Sequence, residues 1–399
     1  MKLLTLVILS SVIAVGVQAE SYSPASFSLF EGFEVMPQYK TSVYYDDNIY
    51  TSESDAVSSF IVVNQPSIQF GVSDGINRYG GRYVLTSGVY SEVNDGDDNY
   101  LDHAFSLTTY TEFTDRNKFD FDLSFSRTHE DRGSNSTDSA AYTYDEPLIY
   151  HNYKANTYYE FGAQSAMFNV GGGVQYTQKR YQNSTDTTQY DDTEKIKFLL
   201  DGSYRIGGVT YLTIGMTHLD TQYLTKEESV ASQDSKDNNF YLGMRWNGLG
   251  KTVGTVKLGY QYKTFDDSSR EDFNGNTIDL SFTWSPLTYS DIKLDITREA
   301  QDSSSYGDYI LVLGSDLTWT HNWSDILSTV SQLGYDSDDY IGSSSDRKDK
   351  TLSASFDVSY SFSRWVLLST GVGYTNRDSS LYGYGYEQST VNLGIKISL

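Results

Sequence analysis

Alternation is the dominant signal along the chain. Phe119, Phe121, Leu123 and Phe125 fall on one side of a strand, with Asp120, Asp122, Ser124 and Ser126 on the other. The same period sets Phe240, Leu242, Met244 and Trp246 against Tyr241, Gly243 and Arg245. It sets Ile278, Leu280, Phe282 and Trp284 against Asp279, Ser281 and Thr283. The longest run places Leu352, Ala354, Phe356, Val358, Tyr360 and Phe362 opposite Ser353, Ser355, Asp357, Ser359 and Ser361. A period of two is that of a β-strand with one apolar and one polar face. These runs reach a dozen or more residues, where a globular strand averages about five or six and a tilted membrane-spanning strand needs about nine to eleven. Several end in Trp or Tyr, as an interfacial aromatic girdle requires. The pattern predicts an all-β, transmembrane antiparallel barrel of outer-membrane type.

The last eight residues test that prediction. In Asn392-Leu393-Gly394-Ile395-Lys396-Ile397-Ser398-Leu399 the alternation runs to the end of the sequence. A strand with nothing after it exposes an edge that must be paired, and closing the barrel onto the first strand pairs it. The stretch resembles the β-signal read by the outer-membrane barrel-assembly machinery. Asn392, Gly394, Ile397 and Leu399 hold its places, with Leu where Phe is usual.

The connections fall into two classes. Short turns are expected at Ser73–Ile76, Asp115–Asn117, Ser165–Ala166, Gly207–Gly208, Asn247–Gly250, Pro286–Leu287, Asn322–Ser324 and Ser363–Arg364. Longer Asp- and Ser-rich loops are expected at Asp46–Ser58, Asn94–Asp98, Asp131–Pro147, Asn183–Thr188, Lys226–Lys236, Asp266–Asp272, Gln301–Ser305, Asp336–Asp349 and Asn376–Tyr382. Eight short turns alternating with nine loops make eighteen strands, both ends lying on the short-turn side. That is the arrangement of outer-membrane barrels, whose short turns are periplasmic and whose long loops are extracellular.

Met1–Ala19 reads as a signal peptide, with Lys2 ahead of an apolar core and Val17-Gln18-Ala19 as the cleavage site. A short periplasmic segment is expected over residues 20–34, and a single barrel domain over residues 35–399.

Composition narrows the partners. The 399 residues include no Cys, 35 Tyr and 38% hydrophobic residues, with a formal net charge of −24. The low apolar share would suit a disordered chain, but 15% aromatic residues would not. Alternating half-apolar strands account for both, and outer-membrane lipid is the expected surround. So negative a chain disfavours nucleic acid and anionic lipid as partners.

Met36-Pro37-Gln38-Tyr39 leads into Tyr44-Tyr45-Asp46-Asp47-Asn48-Ile49-Tyr50, then a polar loop, then Gln65-Pro66-Ser67-Ile68. This opening resembles that of the putative β-barrel porin 2 family. Tyr45, Asp46, Asp47 and Asn48 carry the most specific part of the likeness, supported by Arg364-Trp365 and the closing strand. Members occur in exopolysaccharide and capsule export systems. The resemblance therefore implies an outer-membrane channel for exopolysaccharide or capsular polysaccharide, working with a periplasmic polysaccharide-export protein. The alternative is a general or substrate-specific diffusion porin, and a loop such as Asp131–Pro147 folded into the lumen would favour it. A third reading, a surface adhesin, would have a plugged pore.

Charged residues on the predicted lumen face are Asp120, Asp122, Lys179, Lys195, Lys197, Asp201, Arg245, Lys257, Lys263, Asp279 and Asp357, joined by Tyr241. Opposed charges on a pore wall hydrate it and orient polar solutes. Asp46-Asp47-Asn48 offers hard-cation ligands, but Asp and Asn at a strand end more commonly bond their own backbone. Asp272-Phe273-Asn274-Gly275-Asn276 reads as a loop tip, and Gly171-Gly172-Gly173 as a strand bend or close approach. His103, His129, His151, His218 and His321 sit in no metal or nucleophile motif. No enzyme and no cofactor are expected.

Overall fold

The computed structural model describes residues 22–91, 98–138, 144–227, 230–303, 307–342 and 347–398. The predicted signal peptide and Leu399 of the predicted assembly signal lie outside them. The strands are β1 Phe27–Phe30, β2 Phe33–Asp46, β3 Ser59–Asp74, β4 Asn77–Tyr90, β5 Tyr100–Thr114, β6 Asn117–His129 and β7 Ile149–Phe161. They continue as β8 Phe168–Tyr181, β9 Thr193–Arg205, β10 Thr210–Tyr223, β11 Ser235–Leu249, β12 Thr252–Phe265 and β13 Phe273–Leu287. The last six are β14 Ser290–Asp302, β15 Tyr309–Asn322, β16 Leu327–Ile341, β17 Lys348–Ser363, β18 Val366–Ser379 and β19 Tyr386–Ser398.

From β2 onward each strand pairs antiparallel with the next. β19 then pairs with β2, from Thr390 opposite Asp46 to Ser398 opposite Gln38. The eighteen strands β2–β19 thus form a closed barrel, and the edge of the last strand is paired as its alternation required. No open edge remains along that seam, which is the condition for spanning a bilayer with strands.

Register puts the apolar set outside. Leu200, Ile214, Leu242, Leu258, Phe356 and Leu393 are all exposed on the outer wall. In lipid each gains about 1.5–3 kcal/mol over exposure to water. The alternate residues face the lumen. Two tyrosines lie flat along that inner wall: a Cβ at Gly171 would strike the Tyr158 ring, and one at Gly215 the Tyr241 ring. Close approach is what these glycines provide, including the first of Gly171-Gly172-Gly173.

The chain enters differently from the expected short tail. Within residues 20–34 it forms β1, which pairs with the start of β2, Phe27 opposite Val35. β19 stops opposite Gln38, so β1 occupies the part of the β2 edge that β19 leaves uncovered. The Ser23 amide donates to the Arg364 carbonyl at 2.9 Å, seating the entry beside a short turn. The barrel itself starts at Phe33, two residues before the predicted boundary.

Strands also run further than the hydrophobic pattern indicated. β13 continues through Leu287, so its turn is Thr288–Tyr289 rather than Pro286–Leu287. Phe273–Asn276, expected in a loop tip, open β13. The expected loop Asp336–Asp349 shrinks to residues 342–347, and Asn376–Tyr382 becomes residues 380–385. The barrel strands span 13 residues in β6 and 16 in β17, longer than the hydrocarbon requires. Above the membrane the ladder continues without needing an apolar outer face, and Asp- and Ser-rich strand there reads as loop.

Candidate functional site

The fold gathers most of the twelve predicted lumen residues into two groups. Asp201, Tyr241, Arg245 and Lys257 line one recess of the wall with Tyr158 and Glu160. There Tyr158 donates to Asp201 at 2.9 Å, and Lys257 meets Asp279 of β13 at 2.6 Å. Arg245 lies over the Tyr211 ring at 4.9 Å. Nearer the loop end, Lys195 of β9 and Lys263 of β12 converge on Asp302 of β14, the former at 2.6 Å. Ser235 and Thr221 donate to the same carboxylate, each at 3.4 Å. Asp122 and Lys197 share a pocket of about 190 Å³ with Lys154, Asn156 and Gln175. Lys179 sits 4.4 Å from both the Tyr150 and Tyr181 rings. Asp120 of β6 is the cross-strand partner of Tyr158, and Asp357 lies on β17 opposite Gly371.

Sequence reasoning missed a second set of lumen cations. Lys40 and Lys396 are direct cross-strand partners at the seam between β2 and β19. Arg82 lies nearby on β4, its Nε buried without a hydrogen-bond partner. The signal was available for Lys396, which stands between Ile395 and Ile397 on the polar side of a clean alternation. It was weak for Arg82, where Gly80-Gly81 breaks the pattern.

Asp46-Asp47-Asn48 proves to be a seam lock. Asp46 accepts from the Asn48 amide and from Gln388, both at 2.8 Å. Asp47 accepts the Ser389 amide at 2.6 Å. Asn48, 1% exposed, donates to the Ser52 and Glu387 carbonyls at 2.9 and 2.8 Å. These bonds tie the end of β2 to the start of β19, while Tyr45 packs outward on Phe60 with centroids 5.0 Å apart. Among the described residues no group of three or more His, Cys, Asp or Glu is placed to hold a metal ion. Of the residues expected to form an assembly signal, Asn392, Gly394 and Ile397 lie in β19 opposite Tyr44, Ser42 and Tyr39.

The described residues of the loop joining β6 to β7, 130–138 and 144–148, are tied to several neighbours. Its root is held by neighbours: Thr51 donates to the Gly133 carbonyl at 3.0 Å, and Arg132 donates to Asp98 at 2.7 Å. On the other flank Tyr181 donates to Glu130 at 2.7 Å, and Ser136 donates to Asp191 at 3.1 Å. Burial raises the Asp191 carboxyl from 3.8 to about 6. The far end of this segment reaches much further. Asp138 bonds Arg347 at 2.6 Å and Arg377 of β18 at 2.7 Å. Going round the ring from β6 by way of β2 and β19 to β17 takes seven interstrand steps, so this reach is a chord across the opening.

Arg347 is built to receive it. The guanidinium is 1% exposed and lies 4.2 Å from the Tyr340 ring and 3.7 Å from the Tyr384 ring. Its Nε also donates to both Asp349 oxygens, at 3.1 and 3.0 Å. Stacked planes and a forked carboxylate contact are what arginine provides and lysine does not. No sequence pattern pointed to Asp138, Arg347 or Arg377, because each lies in or beside a loop. His129 carries no free ring nitrogen for acid–base work, since Asp102 and Asp131 engage both, at 2.8 and 3.2 Å.

The family model described as putative beta-barrel porin 2 matches residues 31–399. No curated protein matches this chain in sequence. Among solved structures, Pseudomonas aeruginosa OccK2 (OpdF) is similar at TM-score 0.49 and 9% identity, over 92% of this chain and 98% of that one. A BenF-like porin from Pseudomonas fluorescens Pf-5 matches at TM-score 0.49 and 10% identity, over 93% of this chain and 100% of that one. The siderophore receptor PirA from Acinetobacter baumannii gives TM-score 0.49 at 7% identity, over 92% of this chain and 80% of its own.

Proposed function

The chain belongs to the putative β-barrel porin 2 family and is an outer-membrane β-barrel channel of porin type, and on that footing we propose that it is a diffusion porin for small polar solutes. The observation that carries this reading is the chord across the mouth. Asp138 ties the β6–β7 loop to Arg347 and Arg377 on the far wall, which lays the loop across the entrance. Solutes passing the loop would meet a wall bearing both signs of charge. Lys40 and Lys396 lie on the seam, while Asp122, Asp201 and Asp279 lie on strands β6, β9 and β13. Such a wall hydrates the lumen and orients dipolar or charged solutes.

Export of exopolysaccharide or capsular polysaccharide with a periplasmic partner, as the sequence resemblance implied, draws no support from this mouth. A polymer in transit would have to displace the latched loop.

Liposome swelling with a series of neutral sugars tests the reading. Monosaccharides should enter readily, and rates should fall steeply by the tri- and tetrasaccharide. Equal rates for monosaccharides and long oligosaccharides would return the polymer conduit to favour.

A further inference from the structure

The outer wall carries a feature that neither the pore nor its loops use. His103 of β5 lies opposite Arg127 of β6, Arg127 opposite His151 of β7, and His151 opposite Arg180 of β8. Four nitrogen-bearing side chains thus stand in one transverse row over four adjacent strands, a span of about 15 Å. All four share the outward face with the lipid-facing set: Arg127 continues the Phe121, Leu123, Phe125 alternation, and His151 continues that of Tyr153 and Tyr159. The row stands near the loop end, two residues from the end of β6 and of β7.

Directly beneath it is a second row. Tyr83 is opposite Phe105, Phe105 opposite Phe125, and Phe125 opposite Tyr153. One step of two residues, about 7 Å, separates the rows. Aromatic rings mark the boundary of the hydrocarbon, so side chains one step further out lie at the level of the lipid headgroups. The rings also steady the row: Tyr83 Oη is 2.8 Å from His103 Nδ1, and Phe125 lies edge-on to His151 at 5.4 Å.

We propose that this row docks the phosphate groups of an anionic glycolipid in the outer leaflet. The net charge of −24 argues against anionic lipid for the surface as a whole, but it does not describe this patch. The carboxylates bordering it hold hydrogen bonds of their own, and Asp192 also acts on Arg180 through its charge. Glu194 accepts from Tyr176 at 3.1 Å, Asp192 accepts the Tyr181 amide at 2.7 Å, and Asp102 is taken by His129. Arg180 supplies a forked donor that suits phosphate oxygens, Arg127 donates to the Leu101 carbonyl and brings its charge and remaining N–H groups, and the two histidines stand between them. A groove of about 450 Å³ opens beside the row, lined by Leu101, His103, Arg127 and His129 together with Asp102, which His129 engages, and Glu146, which accepts from Asn183 at 3.1 Å. It gives the saccharide carrying those phosphates somewhere to lie.

The test is native mass spectrometry of the full barrel released from detergent with bisphosphorylated lipid A or its dephosphorylated form. The wild type should bind the phosphorylated lipid at least about tenfold more tightly, and Arg127→Gln/Arg180→Gln should remove that preference. Lys350→Gln, a change on the outer wall of β17, should leave it intact. A heat-modifiable band on gels checks folding. Should the double variant fail to insert, Arg180→Gln alone, at the most exposed member of the row, makes the same comparison. Equal binding of the two lipids, a preference that survives the double substitution, or displacement by millimolar inorganic phosphate would each overturn the proposal.

Discussion

Replacing Asp138 by Ala removes the far anchor of the β6–β7 loop and little else. Asp138 makes two charged hydrogen bonds, to Arg347 at 2.6 Å and Arg377 at 2.7 Å. Stripping one partner from a buried pair commonly costs about 3–5 kcal/mol because a charge is left uncompensated. Here the penalty is smaller, since Arg347 keeps Asp349 and its two tyrosine rings. What is lost is the attachment itself, about 1.5–3 kcal/mol per charged bond before the ordering entropy of the loop is subtracted. A net of about 3 kcal/mol corresponds to roughly a hundredfold in the docked-to-free ratio. The free state would rise from below about 1% to a comparable share with the docked one, while the root stays pinned by the Thr51–Gly133, Arg132–Asp98 and Tyr181–Glu130 contacts. In planar bilayers the wild type should show one low conductance with rare upward steps. Asp138→Ala should dwell in the larger state about half the time and admit larger sugars into liposomes, with Asp138→Asn between the two. Unchanged conductance and sieving in a folded Asp138→Ala barrel would mean that the loop is not the constriction, and the porin reading would lose its main support.

The face assignment predicts that Phe356→Arg costs about 2–4 kcal/mol at mid-membrane and impairs insertion, whereas Asp357→Arg inserts normally and shifts ion selectivity; urea titration of folding into vesicles and reversal potentials measure the two effects. Asn48→Ala should destabilise the seam by about 1–3 kcal/mol, since the Ser52 amide and Glu387 carbonyl lose the buried Asn48 side chain as partner, and the heat-modifiable band should melt at a lower temperature. Asp191 gives a pH signature. Its carboxyl titrates near 6 when docked against 3.8 when free, so the docked form holds its proton more tightly. That contribution to docking is full below about pH 4 and is lost as pH rises through 6. Proteolytic protection of the β6–β7 loop should therefore weaken between those values, and Asp191→Asn should flatten the profile.

The architecture was legible because each strand states its own faces. Phe119 to Phe125 and Leu352 to Phe362 specify inside and outside without reference to a neighbour, and a one-residue slip would turn every such face round. The closing edge was legible for a related reason, since Leu393, Ile395 and Ile397 mark a one-faced strand whose edge needs a partner, and β2 supplies it. Strand ends were not legible. Asp336, Asp338 and Asp339 belong to the ladder but stand above the membrane, where hydrogen bonding alone holds the strand and no apolar face betrays it.

The mouth was hidden for a different reason. Asp138 and Arg377 are far apart in sequence, each in a setting where Asp or Arg is ordinary, and only closure of the ring brings them to 2.7 Å. A polymer conduit and a diffusion porin can share the same strands, girdles and charged lumen, so composition and periodicity could never divide them. On the proposed reading, the position of one loop would divide them. That is why the likeness at Tyr45-Asp46-Asp47-Asn48 identified the family yet said nothing firm about cargo: those residues close the seam between β2 and β19, a task every cargo would require alike. Specificity has to be sought in residues that only the closed ring assembles, Asp138 with Arg347 and Arg377 at the mouth and Lys40 with Lys396 below it. Substitutions there should change what passes, while substitutions in the motif should change only whether the barrel forms.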